Sequence, residues 1–155
     1  MARTPTLMAV QGAALLVGAA YLAIGAFGFV PGLTVHQASL TWAGHASDAE
    51  LFGVFATSGL HNIVHLLYGA VGMLCARTYS ASRAYLLIGG AVLIGLWTLR
   101  VTSAHADVAD YFPLNSADGW LHLALGVVMV ILGLTLGAQH DPTKPRRRAG
   151  AKSRA

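Results

Sequence analysis

Charge is what this chain has least of. Lys, Arg, Asp and Glu make up 10% of its 155 residues, against about 25% in an ordinary soluble domain. A water-soluble fold of this size needs more polar surface than that. The single Cys75 excludes an intramolecular disulfide, a Cys-x-x-Cys redox pair and a cysteine-only metal site. Its simplest role is a small apolar residue near a helix end. No Cys-x-x-Cys-His is present for covalent haem attachment. There is no plausibly placed Ser-His-Asp set, no intramembrane carboxylate pair and no phosphate-binding glycine loop, so the chain is read as not an enzyme.

What fills the chain instead is apolar sequence: 55% of residues are hydrophobic and 18 are glycine. Four long runs dominate, at about 7–30, 51–76, 84–101 and 119–138, each near the ~20 residues that cross a bilayer core of about 30 Å. Lipid-exposed backbone must be satisfied within each span, so all four are expected to be helices. The fold class is therefore all-α, a bundle of four transmembrane helices. The first run, at about 24 residues, exceeds the ~7–15 of a signal-peptide core and is expected to be retained. Residues 1–6 form a short N-terminus, 7–138 the membrane domain and 139–155 a disordered basic tail without an apolar face.

Basic residues set the orientation. Arg3, Arg77, Arg83 and the tail share one side, while 32–50 and 102–117 lack Lys and Arg but hold Asp48, Glu50, Asp107 and Asp110. This predicts a multi-pass protein of the plasma (inner) membrane with both termini cytoplasmic. Six of the ten basic residues follow His140. Directly after a span they point to anionic lipid headgroups rather than nucleic acid. Trp42, Tyr111, Phe112 and Trp120 fall at the outer boundary as an aromatic belt would. Ser47-x-x-Glu50 could cap the second span and Asn115 or Ser116 the fourth.

Polar residues recur inside the runs. His61, His65, Gly69, Gly72 and Ala76 share one face of the second span, and Asp118, His122, Gly126, Gly133 and Gly137 one face of the fourth. Gly133-x-x-x-Gly137 is a small-residue packing motif, relaxed in Gly72-x-x-x-Ala76. At ~1.5 Å per residue His61 stands about 24 Å above Arg77, Arg100 about 26 Å above Arg83, and His122 about 27 Å above His140. Three helices thus carry basic or titratable groups to one level, where Asp118 could neutralise Arg100. The expected centre is a network of His61, Asn62, His65, Arg100, Asp118 and His122, facing inward because imidazoles need protein partners there.

The first reading of this network is structural: buried hydrogen bonds that fix helix register. No cofactor is then needed. The second is a haem or divalent metal held by His61, His65 and His122, since His61 and His65 stand one turn apart. His36, His45 and His105 could add ligands, although they read more simply as surface histidines. Proton or solute transport, by a homo-oligomer, is the third. Against it, no ionisable group continues the path inward, and spans two to four have no internal proline. His65-Leu66-x-x-Gly69 recurs as His122-Leu123-x-x-Gly126, and Leu15-Leu16-Val17-Gly18 resembles Leu86-Leu87-Ile88-Gly89. Two tandem parallel helical hairpins would account for both echoes.

Phe52-Gly53-Val54-Phe55 leading into Leu60-His61-Asn62-Ile63-Val64-His65-Leu66, together with Pro113-Leu114-Asn115-Ser116-Ala117-Asp118-Gly119-Trp120-Leu121-His122-Leu123, resembles the signature of a bacterial membrane family. That family, frequent in actinobacteria, is the domain of unknown function DUF 4383. The resemblance runs from about Leu7 to Gly137. It implies a four-helix integral membrane protein and carries no activity with it. Gly119 stands where the family pattern has Asn.

Overall fold

The structure, a computed structural model, describes residues 7–44, 46–102 and 112–138. Arg3, His45, His105, Asp107, Asp110, Tyr111 and the basic tail lie outside the described residues. The main elements are four helices: α1 (Ala9–Phe27), α2 (Gly59–Cys75), α3 (Tyr79–Thr102) and α4 (Ser116–Thr135). Three two-residue strands, β1 (Thr34–Val35), β2 (Glu50–Leu51) and β3 (Phe55–Ala56), lie between α1 and α2. Three helices, α1, α3 and α4, are long and apolar enough to cross a membrane. At 17 residues, α2 is about 25 Å long and falls short of that length.

The helices pack most extensively as two pairs, α1 with α2 and α3 with α4. Val10, Ala14, Gly18, Tyr21 and Gly25 recur every three or four residues and bury one face of α1. Against that face lie the glycines of α2. A Cβ on Gly69 would stand 2.6 Å from the Gly18 carbonyl oxygen and 2.6 Å from the Leu22 nitrogen. A Cβ on Gly72 would stand 2.9 Å from the Gly18 Cα. The second pair repeats the device, with a Gly126 Cβ 2.8 Å from the Gly90 carbonyl oxygen. Gly133 faces the Leu87 side chain and Gly137 the Arg83 side chain. At each of Gly69, Gly72, Gly126, Gly133 and Gly137 a Cβ would stand under 3.0 Å from a neighbouring atom. Gly18 and Gly90, which complete contacts of these glycines, and Gly25, which packs on the Asn62 carbonyl and Leu66, do not stand out in the sequence pattern. The seven-residue spacing of Gly18 and Gly25 is the one signal for that pair.

The second apolar run departs most from expectation. It begins as a small sheet rather than as helix. In order β1-β2-β3, Thr34 pairs Leu51, Val35 pairs Glu50, Glu50 pairs Ala56 and Leu51 pairs Phe55, all antiparallel. Phe52 (φ 56°) and Gly53 (φ 67°) turn the chain in the left-handed region, which a right-handed helix cannot contain. The Ser47/Glu50 capping box is therefore corrected. The Ser47 hydroxyl donates to the Thr57 carbonyl at 2.6 Å and Glu50 sits in β2. The residue that caps α2 is Ser58, whose Oγ accepts from the His61 amide at 3.2 Å. The other boundaries shift less: α3 starts at Tyr79 rather than 84, and α4 at Ser116 rather than 119. Asn115 caps α4, accepting from the Asp118 amide at 3.0 Å.

Backbone contact at Gly69 leaves no room for a methyl group, whereas a Cβ on Gly12 would meet nothing within 4 Å. Gly69→Ala should force α1 and α2 apart and cost about 1–3 kcal/mol. Gly12→Ala should be neutral or stabilising by about 0.5–1 kcal/mol. Thermal melting of the two purified variants beside the parent checks this; equal melting would refute the close contact.

Candidate functional site

Three imidazoles meet where α2 and α4 begin. The His61 and His65 ring centroids are 4.3 Å apart, His61 and His122 6.2 Å, and His65 and His122 6.3 Å. One ligand nitrogen from each lies within 4.8 Å of the other two. His61 and His122 are buried and His65 is half-buried. The i, i+4 spacing in α2 stacks two of the rings on one side, as the sequence implies. The third arrives because α4 carries His122 at the same level.

Two cavities flank the imidazoles and share them. One, of about 250 Å³, lies toward the sheet and is lined by Leu51, Phe52 and Phe55 with Asp118 and Leu125. The other, of about 220 Å³, lies toward α3 and is lined by Val64, Tyr68, Val92, Leu96 and Phe112. Tyr21 borders both. Its ring meets His65 edge-on at 5.4 Å and Tyr68 at 4.5 Å.

The hydrogen-bond pattern differs from the expected network. Neither His61 Nδ1 nor His65 Nδ1 has a partner among the described residues, although both atoms are buried. The Ala56 carbonyl stands beside the His61 ring as an acceptor. Asn62 turns away from the histidines. Its Oδ1 accepts from Thr57 Oγ1 at 2.6 Å, and its side chain packs on Gly28 of the α1 end. Its Nδ2 is also unpartnered among the described residues.

Arg100 is the clearest correction. It is exposed and donates to Ser116 Oγ at 3.3 Å. No ion pair joins it to Asp118 among the described residues. It is still near enough to attract the carboxylate. Asp118 spends its Oδ2 on two backbone amides, Ala56 at 3.1 Å and Asn115 at 3.0 Å. A carboxylate at the first turn of a helix is favourably placed by the helix dipole. Together with Asn115 Nδ2, which donates to the Val54 carbonyl at 2.6 Å, it ties the β2–β3 hairpin to α4. Sequence reasoning misses Thr57, Ala56 and Tyr21 as neighbours of the site. Only the Tyr21 position on the buried face of α1 gives a signal.

The remaining sequence-identified histidine among the described residues, His36, is exposed, with Nδ1 3.3 Å from the Asp48 carbonyl oxygen. It does not join the cluster. Gly119 lies beneath the Arg100 side chain, where a Cβ would meet the guanidinium nitrogen at 3.2 Å.

The sequence profile of one family, described as a domain of unknown function (DUF4383), matches residues 11–135. The chain belongs to the DUF4383 family. No curated protein and no solved structure matches it. In this DUF4383 member the two segments that carry the family resemblance are the ones that hold the histidines. Residues 52–66 supply the hairpin, His61 and His65, and residues 113–123 supply the α4 cap and His122.

Asp118→Ala removes the acceptor of two backbone amides and should destabilise the protein by about 1–3 kcal/mol. Asp118→Asn keeps an acceptor oxygen and should cost less. Arg100→Leu should stay within about 0.5 kcal/mol, as exposed groups away from the core usually do. Melting of the three variants measures this order, and a large loss in Arg100→Leu alone would restore the ion pair that the geometry replaces.

Proposed function

We propose that this chain is a four-helix integral protein of the plasma membrane, both termini cytoplasmic, that binds a divalent transition metal through His61, His65 and His122. We propose binding rather than catalysis. The low charge, the apolar helices and the absence of Lys and Arg from 32–50 support the membrane placement. In that placement α2 spans with the hairpin above it, and the basic tail meets anionic headgroups.

One observation carries the metal reading: three imidazole nitrogens converge within 4.8 Å, and two of the rings leave a buried nitrogen without a partner among the described residues. A purely structural network would satisfy those atoms, since an unpaired buried polar atom costs about 1–3 kcal/mol. Around a tetrahedral metal at ~2.0–2.1 Å, imidazole nitrogens stand about 3.4 Å apart. Each ring then needs to move by about an ångström or less. Three protein ligands leave a fourth position open toward the cavities. The Ala56 carbonyl beside His61 is the kind of outer partner that orients a metal-binding ring.

Haem is disfavoured by the same triangle. A macrocycle between His65 and His122 needs an open plane midway between them. His61, 4.3 Å from His65 and 6.2 Å from His122, stands within the disc it would fill. Transport has less support: inward of the histidines, the buried residues of α2 and α4 include no Asp, Glu, Lys, Arg or His.

Metal analysis and optical titration of the purified protein test the proposal. One Zn²⁺ per chain is expected, with Co²⁺ in its place giving visible bands of a four-coordinate site. Each of His61→Ala, His65→Ala and His122→Ala should weaken binding by tenfold or more. A metal-free, colourless preparation that takes up no Co²⁺ would sink the reading, as would a Soret band.

A further inference from the structure

The cavity on the α3 side of the histidines borders a second one. Val64, Tyr68 and Val92 line it, and the same three residues form the upper end of a groove of about 590 Å³ between α2 and α3. The groove continues down both helices past Leu67, Val71 and Ile88 to Cys75 and Ala81. Two features of the sequence open it. The backbone-to-backbone glycine contacts lie within each helix pair, whereas Gly72 and Gly89 meet tyrosine side chains across the α2–α3 seam, where the helices meet only sparsely. The lower end of the α3 wall is also built from short residues, Ala81 and Ala84. Leu67, Val71, Ile88 and Val92 are all exposed on its rim.

The dimensions suit one kind of occupant. From Val64 to Cys75 is about 16 Å of helix, close to half of the ~30 Å hydrocarbon core, which is the length of one acyl chain. One groove takes one chain. The chamber at its top, about 220 Å³, has room for a small head but not for a glycerophosphate with a second chain. In the chamber above the groove stand His61 and His65, each with a buried Nδ1 to fill. A bound divalent metal there would present an open position that favours an anionic oxygen.

We propose that the histidine chamber is reached sideways from the membrane by a single-chain amphiphile with a carboxylate head, of the fatty-acid class. The head meets the three imidazoles through the open metal position, and the chain lies between α2 and α3. This rests on the membrane and metal readings above for the chemistry of the head. The groove and the wall it shares with the chamber stand apart from the metal.

The test uses full-length protein in phosphatidylcholine nanodiscs, loaded with Co²⁺, and palmitate carrying a photoactivatable diazirine in mid-chain. Adducts should map to 64–75 and 81–92, and unlabelled palmitate should compete while hexadecanol, which lacks the carboxylate, should not. Palmitate should shift the Co²⁺ bands. Ala84→Phe, which plugs the groove below the chamber, should cut adducts at least fivefold and abolish the shift without changing Co²⁺ content. Ile88→Trp, in the same groove, serves if that variant fails to fold. Adducts spread over all four helices, equal competition by hexadecanol, or an unchanged yield in the folded plug variant would each overturn the proposal. If no Co²⁺ binds but the adducts still map to the groove and hexadecanol still fails to compete, the metal reading falls. The amphiphile site then stands, with its head on the imidazoles alone.

Discussion

The Asp118 carboxylate holds the top of this molecule together. Its Oδ2 takes the Asn115 amide and so closes the first turn of α4, and it takes the Ala56 amide and so anchors the hairpin. Ala56 in turn stands beside His61 through its carbonyl. One oxygen atom therefore links the segment that carries His122 to the segment that leads into His61 and His65. A carboxylate accepting backbone amides is a charge-assisted contact, stronger than a neutral one and fixed in direction. Without it the hairpin would be joined to α4 mainly by the Asn115 side chain, and the roof over the imidazoles would be free to lift.

The same contact explains what the sequence can and cannot say about the site. Spacing and level are enough to bring His61, His65 and His122 together, because helical rise and the i, i+4 face are properties of the backbone alone. The partner of Asp118 escapes such reasoning because sequence exposes side-chain charge and hides backbone donors. Arg100 is the conspicuous cation nearby, yet the carboxylate has two amides closer to hand. Asn62 groups with the histidines by adjacency alone. One residue along a helix is about 100° around it, enough to turn Asn62 toward Thr57 and Gly28.

The fold is legible wherever hydropathy and length agree. It is not legible over 51–58, where an apolar run continues from β2 through β3 into α2 with no change in composition. Local cues are present all the same: Gly53 in a position needing positive φ, aromatic and β-branched neighbours around it, and Ser58 three residues before His61. A window long enough to find a membrane span averages these signals away. The α1 glycines stay hidden for a related reason. A glycine needed for backbone contact is defined by its partner on another helix, and no single segment displays that.

The same glycines decide where the molecule is closed and where it is open. Gly18 with Gly69 and Gly90 with Gly126 bring backbones together within each pair, and close backbone approach is what drives helix association where lipid offers no hydrophobic gain. No such contact binds α2 to α3 among the described residues. Tyr68 and Tyr85 bridge that side instead, their rings 5.2 Å apart, with the Tyr68 hydroxyl donating to Met129 Sδ at 3.6 Å. Bulky rings hold two helices at a distance and leave space along the seam, whereas glycines erase it. A chamber lined by imidazoles with unspent nitrogens and roofed by a hairpin thus borders, on its α3 side, a seam held by tyrosine rings rather than by backbone contact. Packing chemistry, rather than any special loop, distinguishes that side from the closed seams within each pair.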